Sequence, residues 1–501
     1  MDDPITQEIE ASQLKRISVR GGAITAVSQG AKFVIRMAAQ ITIARLLLPS
    51  DYGLVAMIAP VLSLVVLLAD LGIGQAVVQH PDITRRQMSA LFWLGSAINI
   101  GVALSVIVCA PLIALAYHEP RLIRVAMVAA VMVPLGGLAT QHFALLTRNV
   151  RFQALAILDV LAPLCSLAVG LAAAYAGWSY WSLLASQAAE SIVMVIGAWL
   201  ATGWIPGPPR REPGLRSILK VGGHITGTNL ATYVTSTADN IILGVFGGDQ
   251  VLGLYDKGYR TVTQPLGQLL MPFNRVATPT LLRRRDDAAR YRKAYLNMLE
   301  LVLLLVWPGA VCGAVIATPL FEFLLGSHWT GIGPIASWLC FGVLASPLYS
   351  STYWLFTSQS RTGTQMKYGV GLAVISLVGF IAGLPWGAAG VAAGAGLSFT
   401  LLGTPLVLLG ATREGPVRRM DLGLTLVPFC VAAAVVFAVI FTAYDRFKPH
   451  GLELFAMVPV SYLLFAAILG GFPRGREMLR GVLRLREQFK PSNPTRAATP
   501  P

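Results

Sequence analysis

The chain is poor in the residues from which active sites are usually built. Only 13% of its 501 residues are charged, about half the share common in soluble domains. Its six histidines are scattered, with His80, His118, His328 and His450 near the ends of apolar segments. The five cysteines (Cys109, Cys165, Cys312, Cys340 and Cys430) all fall within apolar segments and form no CxxC or Cys/His cluster. That spacing indicates neither a disulfide framework nor a zinc site and leaves packing as their role. No GxxxxGK[ST], GxSxG or HExxH occurs, so nucleotide hydrolysis through a phosphate loop, serine hydrolysis and zinc proteolysis have no sequence support. Neither an enzyme activity nor a metal or cofactor is expected. Residues 1–20 contain no apolar run followed by a small-residue cleavage site, so the first membrane helix is expected to direct insertion.

What is present is apolar. Hydrophobic residues make up 55% of the chain and the mean hydropathy is +0.65. Segments of about 20 apolar residues recur along its length, which predicts an all-α polytopic membrane protein with about fourteen transmembrane helices. The expected spans are 22–46, 54–80, 89–116, 121–147, 153–175, 180–203, 221–246, 251–281, 293–325, 331–357, 366–384, 387–410, 422–443 and 452–471. The net charge of +15 forms no single patch, so nucleic acid is not an expected partner; the basic residues lie in short clusters between apolar segments. With both termini cytoplasmic, 29 of the 39 lysines and arginines fall on the inner side and seven on the outer.

The run TGWIPGPPRREPGLRS, with Pro206, Pro208, Pro209 and Pro213, cannot continue a helix and marks a boundary. It separates an N-terminal lobe (1–205, helices 1–6) from a C-terminal lobe (216–411, helices 7–12) through a cytoplasmic linker at 206–215. Helices 13–14 (412–473) and a basic cytoplasmic tail (474–501) follow. A weak repeat at an offset of 200 relates the halves: Arg16 and Arg20 before Gly22 match Arg216 and Lys220 before Gly222, and Gly53-Leu54 matches Gly253-Leu254. Either a parallel repeat about an axis along the membrane normal or coincidence among Gly- and Leu-rich segments accounts for it. Pro60, Pro134, Pro163, Pro265, Pro308, Pro347 and Pro405 fall inside expected helices, where they suit the bent helices of a central cavity or the ordinary proline content of membrane helices. The glycines near Gly390–Gly396 fit close helix packing. The tail RGREMLRGVLRLREQFK has the spacing of an amphipathic helix on an anionic leaflet, or of a simple stop signal.

A few charges stand inside the apolar spans, where each costs roughly 2.5–3.5 kcal/mol at the bilayer centre on insertion scales. Lys32 and Arg36 share one face of the first helix, four residues apart. Lys32 lies ten residues from Gly22 and Asp70 ten from His80, so both sit about 15 Å deep at 1.5 Å per residue. A Lys32–Asp70 pair is thus geometrically expected, leaving Arg36 as a surplus cation for an anionic head group, since arginine matches phosphate bidentately. An internal ion network that only fixes helix register is the alternative. Asp159, Glu190, Asp239 and Glu300 are further intramembrane acids and Arg275 a further cation. With Asp70, the acids Asp159, Glu190 and Asp239 are candidates for ion coupling.

Two blocks resemble a known family. IARLLLPSDYGLVAMI…LLADLGIGQAVVQHPDITRRQMSALFWL, together with the stretch from Asp239 to Leu281, is similar to the two half-openings of polysaccharide transporters, the Wzx-like branch of the multidrug/oligosaccharidyl-lipid/polysaccharide exporter superfamily. The blocks cover about a fifth of the chain. The resemblance implies two six-helix lobes around a central cavity, with two extra C-terminal helices. It further implies flipping of undecaprenyl-diphosphate-linked oligosaccharide across a bacterial inner membrane during exopolysaccharide, capsule or lipopolysaccharide assembly. The family's cationic cavity maps onto Lys32, Arg36 and Arg275. Membrane lipids, a polysaccharide polymerase and glycosyltransferases are the implied partners. A multidrug or cation antiporter, a peptidoglycan-precursor flippase and a non-transporting membrane scaffold are the competing readings.

Overall fold

The computed structural model describes residues 11–70, 77, 83–209 and 215–488. Within its helices, the side chains of 11–23, 68–70, 215–232, 234–236, 362 and 482–488 also lie outside the description. The described residues are helices joined by short turns, and no strand occurs among them. Before the linker stand α1 (Ala11–Ala44), α2 (Pro49–Asp70), α3 (Arg85–Ala116), α4 (Leu122–Arg148), α5 (Phe152–Tyr175) and α6 (Trp181–Thr202). The next helical stretch, Leu215–Leu282, breaks at Gly248 (φ 79°, ψ −175°), a conformation open to a residue without a Cβ, giving α7 (215–247) and α8 (249–282). Then come α9 (Ala288–Leu325), α10 (Ile332–Val343), α11 (Ser346–Ser358), α12 (Thr362–Gly383), α13 (Gly387–Leu397), a π-helical turn (Ser398–Gly403) and α14 (Thr404–Ala411). The chain closes with α15 (Arg419–Phe447), α16 (Glu453–Gly470) and α17 (Pro473–Gln488).

The helices face outward with their apolar residues, the reverse of a soluble protein. On α3, Ala103, Val106, Ala110 and Ala114 are buried at helical spacing while Leu104, Val108, Leu112 and Leu115 are 57–76% exposed. Small residues let neighbouring helices approach, and the larger ones meet the solvent around the protein, which for such a stripe is lipid. The protein is an all-α, multi-pass membrane protein. Among the described residues, ten stretches are long and apolar enough to cross a membrane. The expected count of about fourteen is higher because it includes α1, α7 and α8, the most polar of the expected spans, and because it divides 363–411, one apolar stretch that Gly387 (φ 66°) breaks. The expected span 331–357 is two helices, with Pro347 in the first turn of α11, where its missing N–H is harmless. Pro405 stands likewise in the first turn of α14, just after the π turn.

Contacts divide the chain into two compact units: Met1–Asp256 with Leu324–Trp329, and Lys257–Phe323 with Thr330–Pro501. This division falls inside α8, beyond the proline linker, whose residues 210–214 lie outside the description. In the first unit α5 packs on both α1 and α6, and α4 packs on α2, α3 and α6. The Gly53/Gly253 correspondence gains a physical meaning here. A Cβ on Gly53 would collide with the Asp249 carbonyl, and one on Gly253 with the Pro49 carbonyl. The starts of α2 and α8 therefore touch backbone to backbone, each glycine meeting the residue four before the other. Arg121 braces the same end, donating from Nη2 to Glu119 and Asp249, each at 2.8 Å.

The second unit has a core of large side chains. Tyr291, Tyr295, Trp307 and Trp354 are buried with Phe429 and Phe465 between α9, α11, α15 and α16. The buried hydroxyls are matched: Tyr295 with Ser351 at 2.8 Å and Tyr291 with Ser358 at 2.5 Å. The glycine-rich segment at Gly390–Gly396 does pack closely, for Gly390 and Gly394 on α13 lie against the backbone of Gly383 and Gly379 on α12.

Candidate functional site

The ionisable side chains of α1 meet carboxylates on two neighbouring helices of the first unit. Lys32 Nζ lies 2.6 Å from Asp159 Oδ1 on α5, and Gln29 Nε2 donates to the other carboxylate oxygen at 2.8 Å. One turn further along α1, Arg36 Nη2 donates to Glu190 Oε1 on α6 at 2.6 Å. Gln29, Lys32 and Arg36 share one helix face at spacings of three and four, so a single face of α1 is tied to both neighbours. Asp159 is seven residues into α5 and Glu190 nine residues into α6, depths of about 10 and 14 Å from the respective helix starts at 1.5 Å per residue.

This arrangement bears on two expectations. Lys32 is paired with Asp159, whereas the Lys32–Asp70 pair falls on a side chain outside the described residues. Arg36 is not a surplus cation, because Glu190 balances it. The cluster holds two cations and two acids and is neutral as a whole. It is nevertheless asymmetric. The Lys32–Asp159 side chains are about one-fifth exposed, whereas the Arg36 side chain is 52% exposed and its other N–H donors have no acceptor among the described residues. A fork of donors that is oriented, half open and at membrane depth is suited to an anionic group with several oxygens.

The other described candidates have different surroundings. Arg275, on α8 in the second unit, is exposed and has no ion partner among the described residues. Asp239, on α7, is buried; its carboxylate accepts from Tyr255 Oη at 2.8 Å and from the Asn240 backbone N–H at 2.9 Å. Lys257, inside the expected span 251–281, is 2% exposed within α8. The adjacent Tyr255-Asp256-Lys257 run is the signal that sequence reading passed over. A second missed constellation sits at the end of α6, where His142 stacks on Trp199 at 4.5 Å, meets Trp204 at 5.1 Å, and bonds through Nδ1 to Thr202 Oγ1 at 2.7 Å.

Comparison with known proteins places the chain. It is 22% identical over 327 residues to the teichuronic acid biosynthesis protein TuaB of Bacillus subtilis (strain 168), covering 63% of this chain and 68% of that one. It is 21% identical over 367 residues to the lipopolysaccharide biosynthesis protein WzxC of Escherichia coli (strain K12), covering 71% and 73%. Among solved structures, the lipid II flippase MurJ in an inward closed conformation superposes with a TM-score of 0.70 at 14% identity, over 89% of this chain and 99% of that one. An inward-facing MATE-family multidrug resistance transporter of the MOP superfamily superposes with a TM-score of 0.57 at 13% identity, over 79% and 95%. The chain therefore shares its fold with these two membrane proteins. It belongs to the family described as polysaccharide biosynthesis protein, which it matches over residues 42–334.

Proposed function

We propose that the protein is a flippase that moves undecaprenyl-diphosphate-linked oligosaccharide units across the bacterial inner membrane by alternating access. The product would serve exopolysaccharide, capsule or lipopolysaccharide assembly. The observation that carries this reading is Arg36, a half-exposed guanidinium held by Glu190 inside the membrane-spanning part of a polysaccharide-family protein. A diphosphate reaching it competes with Glu190 for the same N–H donors, so substrate binding changes the environment of that carboxylate. Asp159 would respond in the same way through Lys32. This is how Glu190 and Asp159 become candidates for proton or sodium coupling; Asp239 bonds to Tyr255 instead, and Asp70, whose side chain lies outside the described residues, remains a candidate. Arg275 would contribute a cation from the second half. The prenyl chain can stay in lipid while only the head group follows the polar path.

In this reading the chain comprises two six-helix lobes, 1–205 and 216–411, around a central cavity, followed by two further helices. Both termini face the cytoplasm. A polymerase and glycosyltransferases act on either side of the transport step. The antiporter reading is less favoured because the membrane acids at Asp159 and Glu190 are already matched by cations.

Deletion of the gene, followed by complementation, tests the proposal. Loss of surface polysaccharide with accumulation of lipid-linked units on the inner face is expected, and Arg36→Ala should restore less than a tenth of the polymer at normal protein level. Full restoration by both Arg36→Ala and Lys32→Ala would overturn the cationic site.

A further inference from the structure

A cavity of about 200 Å³ lies wholly within the second unit, between α8, α11, α12 and α14. Its polar lining is Asn274 on α8, Tyr349, Ser350, Thr352 and Tyr353 on α11, and Gln365 on α12; the Thr352 hydroxyl is already spent on the Tyr349 carbonyl at 2.6 Å. Tyr349 and Tyr353 are four residues apart, on one face of α11, and are 39% and 47% exposed. Asn274 is held in one orientation. The indole Nε1 of the fully buried Trp354 donates to its Oδ1 at 2.7 Å, so the amide NH₂ remains for the cavity. The hydroxyls of Tyr349, Ser350 and Tyr353 and the side-chain amide of Gln365 have no hydrogen-bond partner among the described residues. Such a concentration of uncommitted donors and acceptors favours a polar occupant over hydrocarbon.

The chemistry of the lining selects the ligand. No charged side chain lines the cavity, so it has nothing with which to hold a phosphate or carboxylate. Two tyrosine side chains combined with hydroxyls and amides match a neutral ring that is apolar on its face and polyhydroxylated on its edge. We propose that this cavity is a subsite for one neutral sugar ring of the transported head group. The inference rests on the lipid-linked oligosaccharide reading above and adds to it a residue-level determinant of sugar recognition, separate from the charges of α1. The size suits a single ring rather than a whole repeat unit. The neighbouring rings would extend beyond it.

The test uses the full-length protein in nanodiscs and three probes: undecaprenyl diphosphate, undecaprenyl diphosphate carrying one glucose or galactose, and free methyl glucoside. Wild type is expected to bind the sugar-bearing lipid about tenfold more tightly than the bare diphosphate, with no measurable binding of the free glucoside. Tyr353→Leu and Gln365→Met should each erase that preference while leaving affinity for bare undecaprenyl diphosphate unchanged. Asn274→Asp, which keeps the acceptor for Trp354 and removes the NH₂ donors, should do the same and guards against loss of folding. Equal binding of the two lipids by wild type, or an undiminished preference in all three variants, overturns the subsite alone. Failure of wild type to bind either lipid overturns the lipid-linked reading on which it rests. Tight binding of free methyl glucoside would assign the cavity to a soluble sugar and overturn the proposed head-group role.

Discussion

At the scale of single residues, the charges of α1 decide both stability and chemistry. The sequence made their depth legible, because rise per residue converts position into distance along the membrane normal. It could not reveal azimuth. Several acids stand at a depth Lys32 can reach, and it is the packing of α1 against α5 that brings Asp159 to it. Partners 127 and 154 residues away along the chain leave no local pattern to read. The pairing predicts a specific order of stabilities. Asp159→Leu alone leaves an uncompensated ammonium and should destabilise by about 2–4 kcal/mol, whereas the Lys32→Met/Asp159→Leu double variant should recover most of that loss. Thermal unfolding in detergent measures the order; a double variant less stable than either single one would contradict it. The Arg36 pair is more exposed, so Arg36→Ala should change stability by no more than about 1 kcal/mol while removing function.

At the scale of elements, most helices were visible as apolar runs, with their ends displaced by a few residues. The breaks were harder. The interruption between α10 and α11 and the π turn before α14 occur inside continuously apolar sequence, where hydropathy is silent and the prolines alone give a hint. The starts of α2 and α8 offer the sharpest test of an element contact. Gly53→Ala and Gly253→Ala each place a methyl group against backbone and should each destabilise by about 1–3 kcal/mol. Their effects should be less than additive, because both open the same contact. Gly136→Ala, with open space around it, is the control and should leave the unfolding temperature unchanged. At the same end, hydrogen bonds from Arg121 hold the Glu119 carboxyl below its ordinary value of 4.5. A depressed acid stabilises above its unfolded pKa and loses that contribution as pH falls through the folded one. Hydrogen exchange at 117–121 should therefore be flat from pH 8 to 5, after correction for intrinsic rates, and rise only below about 4.5.

At the scale of the whole molecule, composition and hydropathy carried the class, and the distribution of basic residues carries the proposed orientation. Single cysteines introduced at Arg284 and at His118 in a cysteine-free background should be labelled from opposite sides, Arg284 from the cytoplasm and His118 from outside. Labelling of both from one side would contradict the proposed topology. The sugar cavity was not legible at all, since Asn274, Tyr353 and Gln365 belong to three helices and none stands out within its own. Transport itself is measured most directly in proteoliposomes containing a labelled undecaprenyl-diphosphate-linked oligosaccharide, with the fraction reaching the opposite leaflet followed over time. Wild-type protein should move the lipid well above the rate in empty vesicles, and Arg36→Ala, folded and inserted to the same extent, should fall to near that background. Translocation by Arg36→Ala at the wild-type rate, or none by the wild type, would contradict the account.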